Sequence, residues 1–161
     1  MSAPNSPRKL HEIQVGVYAD EEGMRGSVEG FTRLLGGQGI PHALQVAGPQ
    51  ETTGPGGMPL AEFYEELPEQ WRIEHPGESP GTRAVHEIRV GVLGSREEVD
   101  ALREELGGLL CPDPEHPSPC PIPWGSGWSG AGPGEDEPEG RAQEALLRQR
   151  YRSLLEAARL G

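Results

Sequence analysis

His11-Glu12-Ile13-Gln14-Val15-Gly16-Val17 recurs 75 residues later as His86-Glu87-Ile88-Arg89-Val90-Gly91-Val92, with Gln14 against Arg89 the single mismatch. In each copy apolar residues alternate with polar or small ones, the period of a strand with one buried face. A stretch with helical spacing follows each. Met24, Val28, Phe31 and Leu35 form a stripe after the first copy, and Val99, Leu102, Leu106 and Leu109 form one after the second. The same offset aligns Met24 with Val99, Phe31 with Leu106 and Leu35 with Leu110 without a gap. Agreement in both strand and helix points to an internally duplicated strand–helix unit.

Local signals extend each copy. Asp20 is placed to cap the first helix, which Gly36-Gly37 would close, and Ile40 to Val46 offers a returning strand. Ser95 and Glu98 have capping-box spacing for a second helix over Arg96 to Leu110, and Pro112 stops it. Between the copies, Pro59 opens an acidic helix over Leu60 to Leu67, and Trp71 to His75 reads as an edge strand. The proline-rich segment Ser118 to Trp124 is confined to a sheet edge.

Two β-α-β units joined in one sheet predict an α+β fold, the ferredoxin-like β-α-β-β-α-β sandwich. Ile13, Val15, Val17, Ile88, Val90 and Val92 would face its helices. Glu12, Gln14, Gly16, Tyr18, Glu87, Arg89 and Gly91 would face away. Glycines at matching positions, Gly16 and Gly91, predict that something approaches this second face closely. The candidates are the C-terminal helix, a second subunit in a homodimer, or a ligand. The expected organisation is an arm over residues 1–10, the duplicated domain over 11–124, a Gly/Pro/acidic linker over 125–140 and an amphipathic helix over 141–161.

The chain has a formal net charge of −12, which repels nucleic-acid backbones and anionic membranes. No apolar run is long enough to span a bilayer and the first residues lack a signal core, so the expected location is the cytoplasm. The acidity serves solubility, or it matches a basic partner protein.

Catalytic signatures are missing. The sequence contains no G-x-S-x-G elbow, P-loop, G-x-G-x-x-G after a strand, or H-E-x-x-H, and no cofactor is expected. Glu12 and Glu87 occupy equivalent positions, as would a carboxylate pair, though two solvated carboxylates are the plainer reading. Cys111, His116 and Cys120 have C-x4-H-x3-C spacing suited to zinc, against the simpler reading of two reduced cysteines in a proline loop.

The leading expectation is therefore a non-catalytic protein-interaction module, of the antitoxin, immunity-inhibitor or accessory-subunit kind. Its contacts would be Glu62, Glu65, Glu66 and Glu69 on the acidic helix, with Trp128 and Tyr151. The alternative is a dimeric ferredoxin-like small-molecule enzyme or ligand-binding protein. Its pocket would lie on the open sheet face, with Tyr18, Arg89, His11 and His86 supplying polar groups.

Overall fold

A computed structural model describes residues 9–52, 57–110, 123–130 and 145–160, with backbone alone for 126–130 and 158–160. The elements run β1 (Lys9–Ala19), α1 (Glu21–Gln38), β2 (His42–Ala47), α2 (Leu60–Phe63), α3 (Glu66–Glu74), β3 (Ala84–Gly94), α4 (Arg96–Leu110) and β4 (Trp124–Gly130). Helix α5 (145–150) and helix α6 (Arg152–Leu160) follow. The amide of Tyr151 bonds Leu147 O and that of Leu155 bonds Tyr151 O, which carries the backbone from α5 into α6.

The strands form one antiparallel sheet in the order β2-β3-β1-β4. The two recurring strings lie side by side at its centre, in strands paired over eleven residues each. Their register sets Gln14 opposite Arg89, the one position where the strings differ. It also places Glu12 opposite Gly91 and Gly16 opposite Glu87. Each glutamate thus faces the other string's glycine across the ladder.

Apolar alternation sorts the strands' two faces. Ile13, Val15, Val17, Ile88, Val90 and Val92 pack against Met24, Phe31 and Leu35 of α1 and Val99, Leu102, Leu106 and Leu110 of α4. The caps form as their residue types dictate. Asp20 Oδ1 accepts from the Gly23 amide at 2.8 Å, while Ser95 and Glu98 exchange side-chain-to-amide bonds at 3.2 and 2.8 Å. Helix α1 outruns Gly36-Gly37 to Gln38 and stops at Gly39, whose φ of 70° is the left-handed C-cap. The sheet's second face is also covered, which makes three layers. One cluster joins Leu60, Tyr64, Leu67 and Trp71 to Tyr18, Ala47 and Val85, and another seats Leu147, Tyr151 and Leu154 against Leu10, Ala43 and Leu93.

Three local expectations change. Trp71 to His75 is not an edge strand but the end of α3 and its cap, because Leu67 and Trp71 are four apart and both buried. Five residues were too few to separate the two periods. The single helix expected over Leu60 to Leu67 is broken at Tyr64, where φ is −108° and ψ is 29°. Residues 125–130, expected to begin a linker, belong to β4, an edge strand paired with β1. An edge strand needs only backbone pairing, so small residues serve it. Trp124 packs at the rim of the core above Gly107, where a Cβ would come within 2.7 Å of the indole. No helix among the described residues is long and apolar enough to cross a membrane.

Candidate functional site: two buried tyrosines and an acidic helical segment

Over each string's glycine lies a tyrosine ring. Tyr64, between α2 and α3, covers Gly16 so closely that a Cβ there would fall inside the ring's contact radius. Tyr151, between α5 and α6, covers Gly91, where a Cβ would sit 2.5 Å from ring carbons Cδ1 and Cε1. Only glycine leaves that space.

The hydroxyl of each tyrosine then crosses to the glutamate opposite its glycine. Tyr64 Oη donates to Glu87 Oε2 at 2.7 Å, and Tyr151 Oη donates to Glu12 Oε2 at 2.7 Å. Both carboxylates are buried, and burying such a group is tolerable only when it is paired and hydrogen-bonded. Arg89 Nε donates to Glu87 Oε1 at 2.6 Å, with its Nη2 on Thr52 O at 2.8 Å. Arg150 Nη1 donates to Glu12 Oε2 at 2.5 Å, and Gln14 Nε2 to Glu12 Oε1 at 2.8 Å.

These surroundings act on the titrating groups. Burial, followed by the adjacent Glu87 carboxylate, pushes the Tyr64 phenol well above its ordinary range. Burial and then Glu12 do the same to Tyr151. For Arg89, burial pulls the guanidinium down, but Glu87, Glu12 and Glu51 together outweigh it and the net shift is upward. His11 is pulled down by burial and by the charge of Lys9.

The pairs suggested by sequence symmetry do not meet. Antiparallel pairing puts Glu12 opposite Gly91 and Glu87 opposite Gly16, so the carboxylates lie about 13 Å apart along the strands. Each belongs to its own tyrosine, and they form no shared acid–base pair. His11 and His86 sit at opposite ends of the ladder, opposite Val92 and Val17, about 20 Å apart. They cannot share a metal, and no metal-competent cluster of His, Cys, Asp and Glu occurs among the described residues. Tyr18 joins the cluster under α3, meeting Trp71 edge-to-face at 6.2 Å, while Arg89 is committed to Glu87 and Thr52. Tyr18, Arg89, His11 and His86 therefore do not converge, and the outer sheet face is filled above Gly16 and Gly91. Cys111, His116 and Cys120 fall outside the described residues, as does the side chain of Trp128.

With Tyr64, Leu67 and Trp71 turned to the sheet, the other side of α2 and α3 is uncovered among the described residues. Glu62, Glu65, Glu66 and Glu69 are all exposed. On α3 the spacing of Glu66, Glu69, Gln70 and Ile73 puts them on one helical face, and Ile73 is 73% exposed. Phe63 on α2 is 49% exposed, its ring edge-to-face with Tyr64 at 4.8 Å. Tyr151, expected to touch a partner, is instead buried, and with Tyr64 it makes two matching keys, each a ring over one string's glycine with its hydroxyl on the other string's glutamate. The sequence missed Arg150 and the role of Tyr64, although the paired glycines signalled that something would lie close above them. Comparison with family models, with curated proteins and with solved structures finds no match to this chain.

Proposed function

We propose that this chain is a non-catalytic interaction module that binds a basic partner protein through the exposed face of α2 and α3. It would act as an inhibitor of the antitoxin or immunity type, or as an accessory subunit. The observation that carries this reading is a helical segment, residues 60–74, with four exposed glutamates and two exposed large apolar side chains, Phe63 and Ile73. Apolar anchors within a charged surround are what a partner surface uses for affinity and for electrostatic choice. The net charge of −12 adds long-range attraction for a basic protein.

The face is also rigidly mounted. Trp71 stacks on His75 at 4.6 Å, Arg83 sits 4.7 Å from the Trp71 ring centroid, and Tyr64 is pinned to Glu87. A preformed surface loses little conformational entropy on binding.

Replacing Glu62, Glu65, Glu66 and Glu69 together by Gln tests the reading. Capture from the native host's extract at low salt should recover a stoichiometric basic protein with the natural chain and not with the variant. Failure to recover one, or equal recovery by the variant, overturns the proposal. The fold itself should tolerate the change, since exposed substitutions typically shift stability by about 0.5 kcal/mol or less.

We further infer that the sheet is a ferredoxin-like sandwich produced by internal duplication, each unit now comprising strand, helix, strand and a tyrosine-bearing helical segment. The recurring strings, the sheet order and the two Tyr-over-Gly, Tyr-to-Glu keys support that history.

A further inference from the structure

Strand β2 is shorter than its neighbour. It has six residues and ends at Ala47 opposite Glu87, whereas β3 begins three residues earlier at Ala84. Ala84, Val85 and His86 therefore pair with β1 on one side, with no strand on the other among the described residues. Helix α1 continues above this gap. The result is a cleft of roughly 630 Å³ lined by Glu21, Met24, Arg25, Val28 and Glu29 of α1, Val46 of β2, and Thr82, Ala84 and His86 at the start of β3. That volume lies within the range of small-molecule sites.

Its chemistry is one-sided. Met24, Val28, Val46 and Ala84 supply an apolar interior, and Val46 stays 45% exposed although Leu44 on the same face of β2 packs against the core and Ile88 opposite it is buried. The polar lining mostly accepts. His86 Nδ1 lies 3.2 Å from the Ala84 carbonyl, which can only accept, so Nδ1–H is used there and the ring is held at the start of β3. Glu21 and Glu29 add two carboxylates. Arg25, the one arginine or lysine among the described lining residues, already lies 4.0 Å from Glu21. Carboxylates thus outnumber cations, within a protein whose overall charge repels anions.

We propose that this cleft binds a small organic cation: an alkyl or aryl body lying on Met24, Val28, Val46 and Ala84, and an ammonium head taken by the Glu29 carboxylate. The site lies on the α1 side of the sheet, away from the acidic face of α2 and α3. It stands or falls independently of the partner-binding reading.

Three probes of similar size separate the contributions: phenethylamine, phenylacetate and the neutral 2-phenylethanol. Each is titrated into the full-length protein while backbone and methyl NMR shifts are followed. Phenethylamine should move Met24, Val28, Val46 and Ala84 in saturable fashion, and bind more tightly than the alcohol. Phenylacetate should bind most weakly. Val46→Trp, which fills the mouth from an exposed position, should abolish the response while leaving the thermal unfolding temperature unchanged. Glu29→Gln should weaken the amine about threefold, the scale of one solvent-exposed ion pair, and leave the alcohol unaffected. The proposal is overturned if phenethylamine produces no saturable shifts, if phenylacetate binds as well, or if Val46→Trp leaves binding intact.

Discussion

Gly91→Ala isolates the Tyr151 key with a single methyl group. The added Cβ would lie 2.5 Å from Cδ1 and Cε1 of Tyr151 and 2.8 Å from Cγ, whereas carbon atoms settle at about 3.5–4.0 Å. The ring must retreat by about 1 Å. Its hydroxyl, however, is held 2.7 Å from Glu12 Oε2, and a 1 Å retreat would stretch that bond beyond hydrogen-bonding reach. The protein must either accept an overpacked site, costing about 1–3 kcal/mol, or lose a hydrogen bond to a charged group, worth about 1.5–3 kcal/mol. Alanine recovers about 0.5–1 kcal/mol of backbone entropy in a strand. The net destabilisation should be about 1.5 kcal/mol. Tyr151→Ala alone should cost about 4 kcal/mol, as large aromatic truncations do. In that background Gly91→Ala has nothing left to strike and should be neutral or mildly stabilising. Urea unfolding of the four proteins gives the coupling energy directly, expected at about 2 kcal/mol or more. Gly36→Ala on α1, where a new Cβ meets nothing within 4 Å, serves as the control and should not destabilise. Additive costs in the cycle, or a Gly91→Ala variant as stable as the parent, would refute the key.

Alkaline pH should attack both keys. Raised phenol values in the folded state mean that the unfolded chain releases these protons first, so stability holds up to about pH 10 and then falls. Each tyrosine should contribute a slope of up to about 1.4 kcal/mol per pH unit there, lost in Tyr64→Phe and Tyr151→Phe, as urea midpoints between pH 8 and 11 would show. On the acid side His11 works the other way: its lowered value makes stability fall as pH drops below about 6.5, and His11→Gln should flatten that limb in the same titration. Arg89→Met leaves the buried Glu87 with Tyr64 alone and should cost about 3 kcal/mol by urea unfolding. Ser95→Ala removes the α4 cap at about 1 kcal/mol, read as a lowered thermal midpoint.

Much of the architecture could be read from the two strings. Alternation assigned Ile13, Val15, Val17, Ile88, Val90 and Val92 to one core, and helical spacing supplied Met24, Phe31, Leu102 and Leu106 to cover it. Both periods are local properties of the chain and need no knowledge of the register. What required the register was the partnership of Glu12 with Gly91 and of Glu87 with Gly16. Near-identical strings invite matching residue by residue, which made Glu12 with Glu87 and His11 with His86 look like pairs. Antiparallel pairing instead sends equivalent residues to opposite ends. Tyr64 and Tyr151 were visible as apolar-face residues, but their hydroxyl partners lie 23 and 139 positions away, beyond any spacing rule. The cleft at α1 was illegible for a similar reason. It exists because β2 stops short of β3, and strand ends are weakly marked in sequence.

Proton NMR of the native protein tests the central arrangement most directly. A ring stacked on a glycine shifts that residue's Hα resonances upfield and gives strong cross-relaxation with them. Gly16 Hα should respond to Tyr64 and Gly91 Hα to Tyr151, each shift vanishing when its own tyrosine is changed to leucine and surviving the change of the other. Glycine protons at ordinary frequencies, with no contact to either ring, would contradict the account.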